Sequence, residues 1–331
     1  MTVESRLEWD KASDLVSKAE RILVVTHISP DGDAIGSMIG IVNALRAQGK
    51  TVDAAVDEGL PGFLSFIEGG DTIRPQLSEG TWDVMISTDA SDEERTGAVG
   101  AYGRANTNQV INLDHHMTNL FFGDVHLVQV DAVSATQIVW RWLKYMDMPL
   151  TKEIAVPLLT GLVTDTMGFR TSNITAGTLG IAQDLMQAGA SITEVMARTL
   201  DSKPYRSFKL WSGALQSLSL DDQIVSVNIT QADMQATGVT DVSDAGLVGM
   251  LNQINEAMIA VIFMELAGGK QVKLSLRAKN GYDVGSVAMS IGGGGHRLAA
   301  GATVNGTLDH VRERVMPMLK QAVAEGELVI A

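Results

Sequence analysis

The first half of this 331-residue chain alternates short β-rich runs with amphipathic segments, and that alternation constrains the fold more than any other feature. RILVVTH (21–27) reads as a buried strand and DAIGSMIGIVNALRAQG (33–49) as a helix ending at Gly49. TVDAAV (51–56), WDVMIST (82–88) and QVINL (109–113) read as further strands, and helices are predicted at 133–146, 152–165 and 175–188. Strands alternating with helices predict an α/β fold with a doubly wound, mostly parallel sheet. Such sheets bind ligands beyond the carboxyl ends of their strands. His27, Asp89 and the run Asp114-His115-His116 all fall where predicted strands end.

The pattern changes after residue 190. SITEVMARTLDSKPYRSFKLWSGALQSL (191–218) is helical on both sides of Pro204 and reads as a connector. Beyond it, DQIVSVNIT (222–230), AVIFMEL (260–266) and QVKLSLRAK (271–279) read as strands, with helices at 244–256 and 307–325. A chain of this length commonly divides. The expected organisation is a doubly wound domain at 1–190, a helical linker at 191–218 and a smaller α/β domain at 219–331.

Composition narrows the partners. The formal charge is -14, whereas a protein that grips long duplexes by neutralising phosphates shows a basic face. Small anionic substrates, held by a few cations, backbone N–H groups or metal ions, are the better expectation. There are no cysteines, so a metal must be held by His, Asp or Glu. The N-terminal stretch lacks the basic and apolar regions of a signal peptide, and no uncharged apolar run approaches the roughly 18 residues that span a bilayer. A cytoplasmic protein without membrane association is expected. The sequence also allows a homodimer.

Four motifs carry candidate chemistry. In THISPDGDAIGS (26–37), Pro-Asp-Gly-Asp fits a turn with Asp33 capping the next helix. The same loop could aim His27, Asp31 and Asp33 into one crevice, where an imidazole and two carboxylates suit a divalent cation. In MISTDASDEER (85–95), Asp89 follows an apolar strand, and Arg95 reads as a partner in a surface ion pair. In INLDHHMTN (111–119), two histidines behind Asp114 follow a buried strand and have no ready explanation as core. In LLTGLVTDTMGFR (158–170), Asp165 interrupts an apolar helix, which is costly unless the carboxylate is paired or metal-bound. Arg170 is a candidate phosphate clamp. His126 and His310 are isolated and read as structural or surface histidines.

These motifs, in this order across residues 26–170, resemble the DHH phosphoesterase superfamily. The resemblance implies that His27, Asp31 and Asp89 hold one metal and that Asp33, Asp89, His115 and Asp165 hold a second, with Asp89 shared. It assigns Asp114 to orienting a histidine and His116 to the substrate phosphate. Two divalent cations are implied, Mn²⁺ by preference and Mg²⁺ as the alternative. Near the C-terminus, SIGGGGHRLAAGA (290–302) places four glycines, Gly292, Gly293, Gly294 and Gly295, before His296 and a predicted helix. A glycine run is often only a turn, but it can also bring backbone N–H groups close to an anion. GGGGH with AAG resembles the nucleotide-binding motif of the DHH-associated domain in nanoRNases, and SLRAK (275–279) its Arg-bearing strand, here with Arg277.

The implied activity is metal-dependent hydrolysis of short oligoribonucleotides, pApA-type dinucleotides or 3′-phosphoadenosine 5′-phosphate. A cleft between the domains would admit only short substrates. The rivals are a cyclic di-AMP-pathway phosphodiesterase, a pyrophosphatase, a RecJ-like exonuclease on long strands, and a non-catalytic nucleotide sensor on the same fold.

Overall fold

The computed structural model describes residues 5–238 and 244–329. They form two compact units, which divide between Ser202 and Lys203. The expected linker is therefore shared: Ile192–Thr199 packs on the Lys152–Asp165 helix of the first unit, and Tyr205–Ala214 packs within the second.

The first unit holds seven strands: β1 (Arg6–Leu7), β2 (Arg21–Thr26), β3 (Thr51–Ala55), β4 (Ile73–Arg74), β5 (Trp82–Thr88), β6 (Thr107–Asp114) and β7 (Val125–Val128). Their order is β1-β7-β6-β5-β2-β3-β4, with every pair parallel except β1 with β7. Its helices are α1 (Trp9–Lys18), α2 (Gly32–Ala47), α3 (Gly97–Ala105), α4 (Ala135–Tyr145), α5 (Lys152–Asp165), α6 (Ala176–Gln187) and α7 (Ile192–Thr199). The central strands carry unbroken apolar stretches, at 22–25, 84–86 and 110–111, because both faces are covered there. On one face Ile22, Val24, Val84 and Ile86 meet α2, α4 and α5. On the other, Leu23, Val25 and Met85 meet the α3 residue Val99. The elements not predicted are β1 and β4, at two residues each, the four-residue β7, and the glycine-rich α3, GAVGAYGRA.

α2 and α5 pack antiparallel at very close range. A Cβ on Gly36 would lie 2.4 Å from the Pro157 carbonyl, and one on Gly32 would lie 2.3 Å from Thr164 Oγ1. Only glycine allows this approach. The crossing brings the C-terminal end of α5, with Asp165, to the N-terminal end of α2, with Asp33.

The second unit has helices α8 (Tyr205–Ala214), α9 (Gln231–Thr237), α10 (Leu247–Leu251), α11 (Val284–Ser290) and α12 (Leu308–Glu325). Its strands are β8 (Ser219–Asp221), β9 (Ile224–Ile229), β10 (Ile259–Glu265), β11 (Gln271–Ala278), β12 (Gly294–His296) and β13 (Ala299–Asn305), in the order β12-β13-β11-β10-β9-β8. Only β9 and β10 run parallel. The helix predicted at 244–256 is confined to α10. The glycine run also departs from expectation: it follows the short helix α11 and enters a β-hairpin, so no helix begins after it. Among the described residues, no helix is long and apolar enough to cross a membrane.

Candidate metal centre

Three neighbouring strands end at one level. Thr26 of β2 pairs with Thr88 of β5, and Thr88 pairs with Leu113 of β6. The chain leaves β2 toward β3 on one side and resumes at β5 on the other, which makes the β2/β5 boundary a topological switch point. His27 and Asp89 emerge there side by side, with Asp114, His115 and His116 next to them.

Asp89 is the hub. Its backbone adopts φ 56°, a left-handed conformation that costs a non-glycine residue energy and needs support. Its amide donates to Leu113 O at 2.8 Å. His27 Nε2 lies 3.7 Å from Asp89 Oδ2, and His115 Nε2 lies 3.6 Å from Asp89 Oδ1. His115 Nε2 is also 3.9 Å from Asp33 Oδ2 and 3.5 Å from Asp165 Oδ2. Such separations are long for hydrogen bonds and suit atoms that share an ion. Among the described residues, three groups have ligand atoms mutually within 4.8 Å: His27, Asp31 and Asp89; Asp33, His115 and Asp165; and Asp89, His115 and His116.

The other ring nitrogens distinguish the histidines. His27 Nδ1 lies 2.8 Å from Ile28 O and His115 Nδ1 lies 3.3 Å from Ala132 O, which directs both Nε2 atoms to the carboxylates. His116 Nδ1 instead donates to Asp114 Oδ1 at 2.7 Å. The histidine that Asp114 orients is therefore His116.

The structure corrects the cap of α2. Asp31 takes that role, with Oδ1 accepting from Asp33 N at 2.9 Å and Ala34 N at 3.0 Å. Asp33 is buried and reaches α4, where Oδ2 accepts from Ala135 N at 2.5 Å and Oδ1 from Thr136 N at 3.0 Å. Oδ1 also accepts from Thr136 Oγ1 at 2.7 Å, which occupies both of its lone pairs, whereas Oδ2 keeps a second lone pair open to coordination.

The electrostatics call for cations. Burial, then the negative charges of Asp33 and Asp31, hold the Asp89 carboxyl well above its ordinary range. The same causes push Asp165 up to about 8. Burial also raises Asp33, against the opposing pull of His115. Asp89 Oδ1 is buried and has no hydrogen-bond partner. An unpartnered buried carboxylate is expensive, and a cation removes the cost. The donor set of oxygens and imidazoles, without sulfur, fits a hard or borderline divalent ion. Asp114 behaves differently: burial opposes its ionisation, but hydrogen bonds from His116 and Asn119 hold it below the usual range. The Asp114 hydrogen bond in turn raises His116.

Some candidates lie apart from these clusters. Arg170 is exposed, and its Nε donates to Met167 O at 2.6 Å. The ion pair expected of Arg95 is not formed among the described residues; its carbonyl accepts from Ile28 N at 2.8 Å. His126 is a structural histidine, buried between Glu8 Oε2 at 3.1 Å and Phe121 O at 2.8 Å. Asn119 had no evident signal: its buried amide donates to Asp114 Oδ2 at 2.6 Å.

In the second unit, Arg277 of β11 and His296 of β12 both pair opposite Ala299 of β13. Directly opposed residues share a face. The two side chains thus lie in one row, two strand spacings or about 10 Å apart, on the face opposite the buried Leu276 and Ala278. The glycines have packing reasons of their own. A Cβ on Gly293 would lie 2.2 Å from Gly301 O, and one on Gly295 would lie 2.5 Å from Ala299 O. Gly292 takes φ 85°, whereas Gly294 has open space around it.

Two family profiles match: the DHH family, N-terminal domain, at residues 21–162, and the DHHA1 domain at 227–325. The bifunctional oligoribonuclease and PAP phosphatase NrnA of Thermus thermophilus is 33% identical over 322 residues, covering 95% of this chain and 94% of that protein. The chain belongs to the DHH family. A more distant relative of this DHH-family chain, from Streptococcus mutans, is named "Probable manganese-dependent inorganic pyrophosphatase"; it is 27% identical over 251 residues, 72% of this chain and 77% of that protein. Among solved structures, an exopolyphosphatase-related protein from Bacteroides fragilis shares the fold, with a TM-score of 0.86, 23% identity and coverage of 96% of this chain and 97% of that one.

Proposed function

We propose that this chain is a cytoplasmic two-metal phosphoesterase acting on short nucleotides: oligoribonucleotides of a few residues, pApA-type dinucleotides and 3′-phosphoadenosine 5′-phosphate. The observation that carries the reading is Asp89, whose buried, unpartnered Oδ1 sits among Asp33, Asp165 and three imidazoles at a sheet switch point. The full-length relative named oligoribonuclease and PAP phosphatase supports the substrate class.

In this reading His27, Asp31 and Asp89 hold one cation and Asp33, Asp89, His115 and Asp165 the other. The oxygen-rich donor set and the relative named manganese-dependent favour Mn²⁺ over Mg²⁺. When bound, the pair supplies positive charge to the phosphoryl oxygens and acidifies water for attack. His116, aligned by Asp114, stabilises charge developing on the phosphoryl group. Arg170 offers a second cation there. Arg277, the Gly292–Gly295 run and His296 anchor the nucleotide remainder. The net charge of -14 argues against long duplexes as substrates.

The test is a substrate panel with Mn²⁺, from pApA, two-to-five-nucleotide RNA and 3′-phosphoadenosine 5′-phosphate to pyrophosphate and long single strands. Turnover confined to the short nucleotides is expected. Pyrophosphate as the best substrate would make the chain a pyrophosphatase, and nucleotide binding without turnover would make it a sensor.

A further inference from the structure

After Asp114, His115 and His116 the chain continues Met117, Thr118, Asn119, and of these last three only Asn119 is buried, at 3% exposure. A buried carboxamide must satisfy two N–H donors and a carbonyl. Asn119 Oδ1 accepts from Phe121 N at 2.7 Å. Its Nδ2 donates to Asp114 Oδ2 at 2.6 Å and to Ala90 O at 3.3 Å. These partners allow one orientation of the amide, because an ionised carboxylate and a peptide carbonyl only accept and a peptide N–H only donates.

Asp114 thus has one oxygen committed to Asn119 and the other to His116 Nδ1, 2.7 Å away. Two opposed anchors fix the plane of a carboxylate; with His116 alone, Asp114 could rotate about its terminal torsion, which is broad. Asn119 is itself braced. Phe121, at φ 51°, offers its carbonyl to the buried His126 ring at 2.8 Å. Ala90, next to Asp89, also accepts from Asn112 Nδ2 at 3.0 Å.

We propose that Asn119 is a positioning residue for His116: it sets the plane of the Asp114 carboxylate and so holds the imidazole toward the phosphoryl group. Its effect on rate rests on the phosphoesterase reading; its effect on ring geometry does not.

Asn119→Asp separates this role from simple closure of the turn. The variant keeps an acceptor for Phe121 N but presents Asp114 with a carboxylate where a donor stood. With saturating Mn²⁺, kcat should fall about 10- to 100-fold, the range for outer partners that orient site ligands, on both pApA and bis-p-nitrophenyl phosphate. KM and bound metal should stay unchanged. An Asn119→Asp variant close to wild type, beside an impaired Asn119→Ala, would reduce Asn119 to a turn former. Loss of metal from Asn119→Asp would move its action to the ligands; either result overturns the proposal.

A second measurement needs no turnover. Imidazole ¹⁵N spectra of the Mg²⁺-loaded wild type should show His116 with its proton on Nδ1 in a strong hydrogen bond that is weakened in Asn119→Asp; an unprotonated Nδ1 in the wild type, or the same His116 signals in both proteins, overturns the proposal. A wild type that binds metal yet turns over nothing would defeat the phosphoesterase reading and still leave the ring spectrum to decide on Asn119.

Discussion

The strand-end cluster of the first unit and the glycine-rich hairpin of the second differ in how much of their chemistry the protein itself satisfies. At the strand ends, Asp33, Asp89 and Asp165 are held in protonation ranges that ordinary carboxylates leave, and Asp89 Oδ1 has no partner. At the hairpin, Gly293 and Gly295 are accounted for by the backbone of β13 lying against them. The first region keeps a buried carboxylate oxygen without a partner, which a bound cation would satisfy. The second is packed without a ligand, so the binding role proposed for it rests on the exposed His296, the half-buried Arg277 and whatever N–H groups the run leaves free.

The largest effect expected is from Asp89→Ala, which removes the ligand proposed to be shared by the two cations. Activity should be abolished and bound metal reduced, with the fold retained by circular dichroism. Full activity in a folded variant would end the two-metal reading. His115→Ala should likewise lose metal, whereas His116→Ala should keep metal and lose turnover. Equal metal loss in these two would erase the distinction drawn from their Nδ1 partners.

In the second unit, Arg277→Ala and His296→Ala should retain metal and lower kcat/KM on short nucleotides. A charge-assisted contact is worth about 1.5–3 kcal/mol, or roughly 10- to 150-fold. Hydrolysis of bis-p-nitrophenyl phosphate, which uses little of that anchor, should fall much less. Equal losses on both substrates would make the hairpin a structural support.

The glycines sharpen the comparison. Gly293→Ala drives a Cβ into a backbone carbonyl and should cost about 1–3 kcal/mol in denaturant unfolding. Gly294→Ala meets open space and should stay within about 0.5 kcal/mol. If Gly294→Ala raised KM for short nucleotides while leaving stability alone, the run would be reading phosphate directly.

The smallest effect is a dependence of stability on pH. Asp165 sits at about 8 when folded, above its ordinary 3.8. Between those values the folded state holds the proton that the unfolded state has released, so this stabilisation is full at low pH and is lost as pH rises toward 8. The metal-free protein should therefore melt progressively lower from pH 5 to pH 8, and Asp165→Asn should flatten that slope. An unchanged slope in the variant would remove Asp165 from the account.

Much of the first region was legible because its signals are local. A run such as RILVVT or WDVMIST identifies a strand within seven residues, and the polar residue after it stands at the carboxyl end, where α/β sheets bind ligands. That placed His27 and the pair His115 and His116 at the strand ends, whereas Asp89 also depended on its company in the other motifs and the division of metal ligands on the family resemblance. What Asp33 and the glycines do required the tertiary structure. The turn pattern around Asp33 predicts a cap on its own helix, yet its carboxylate bonds to Ala135, 102 positions along the chain. Asp165 meets Asp33 only because Gly36 lets α5 approach α2. Gly293 and Gly295 must lack a Cβ because β13, which follows the run, folds back against them. Periodicity and residue chemistry act over a few neighbours and are written in the sequence, whereas a buried carboxylate or a bare Cα takes its role from whichever distant segment packs against it.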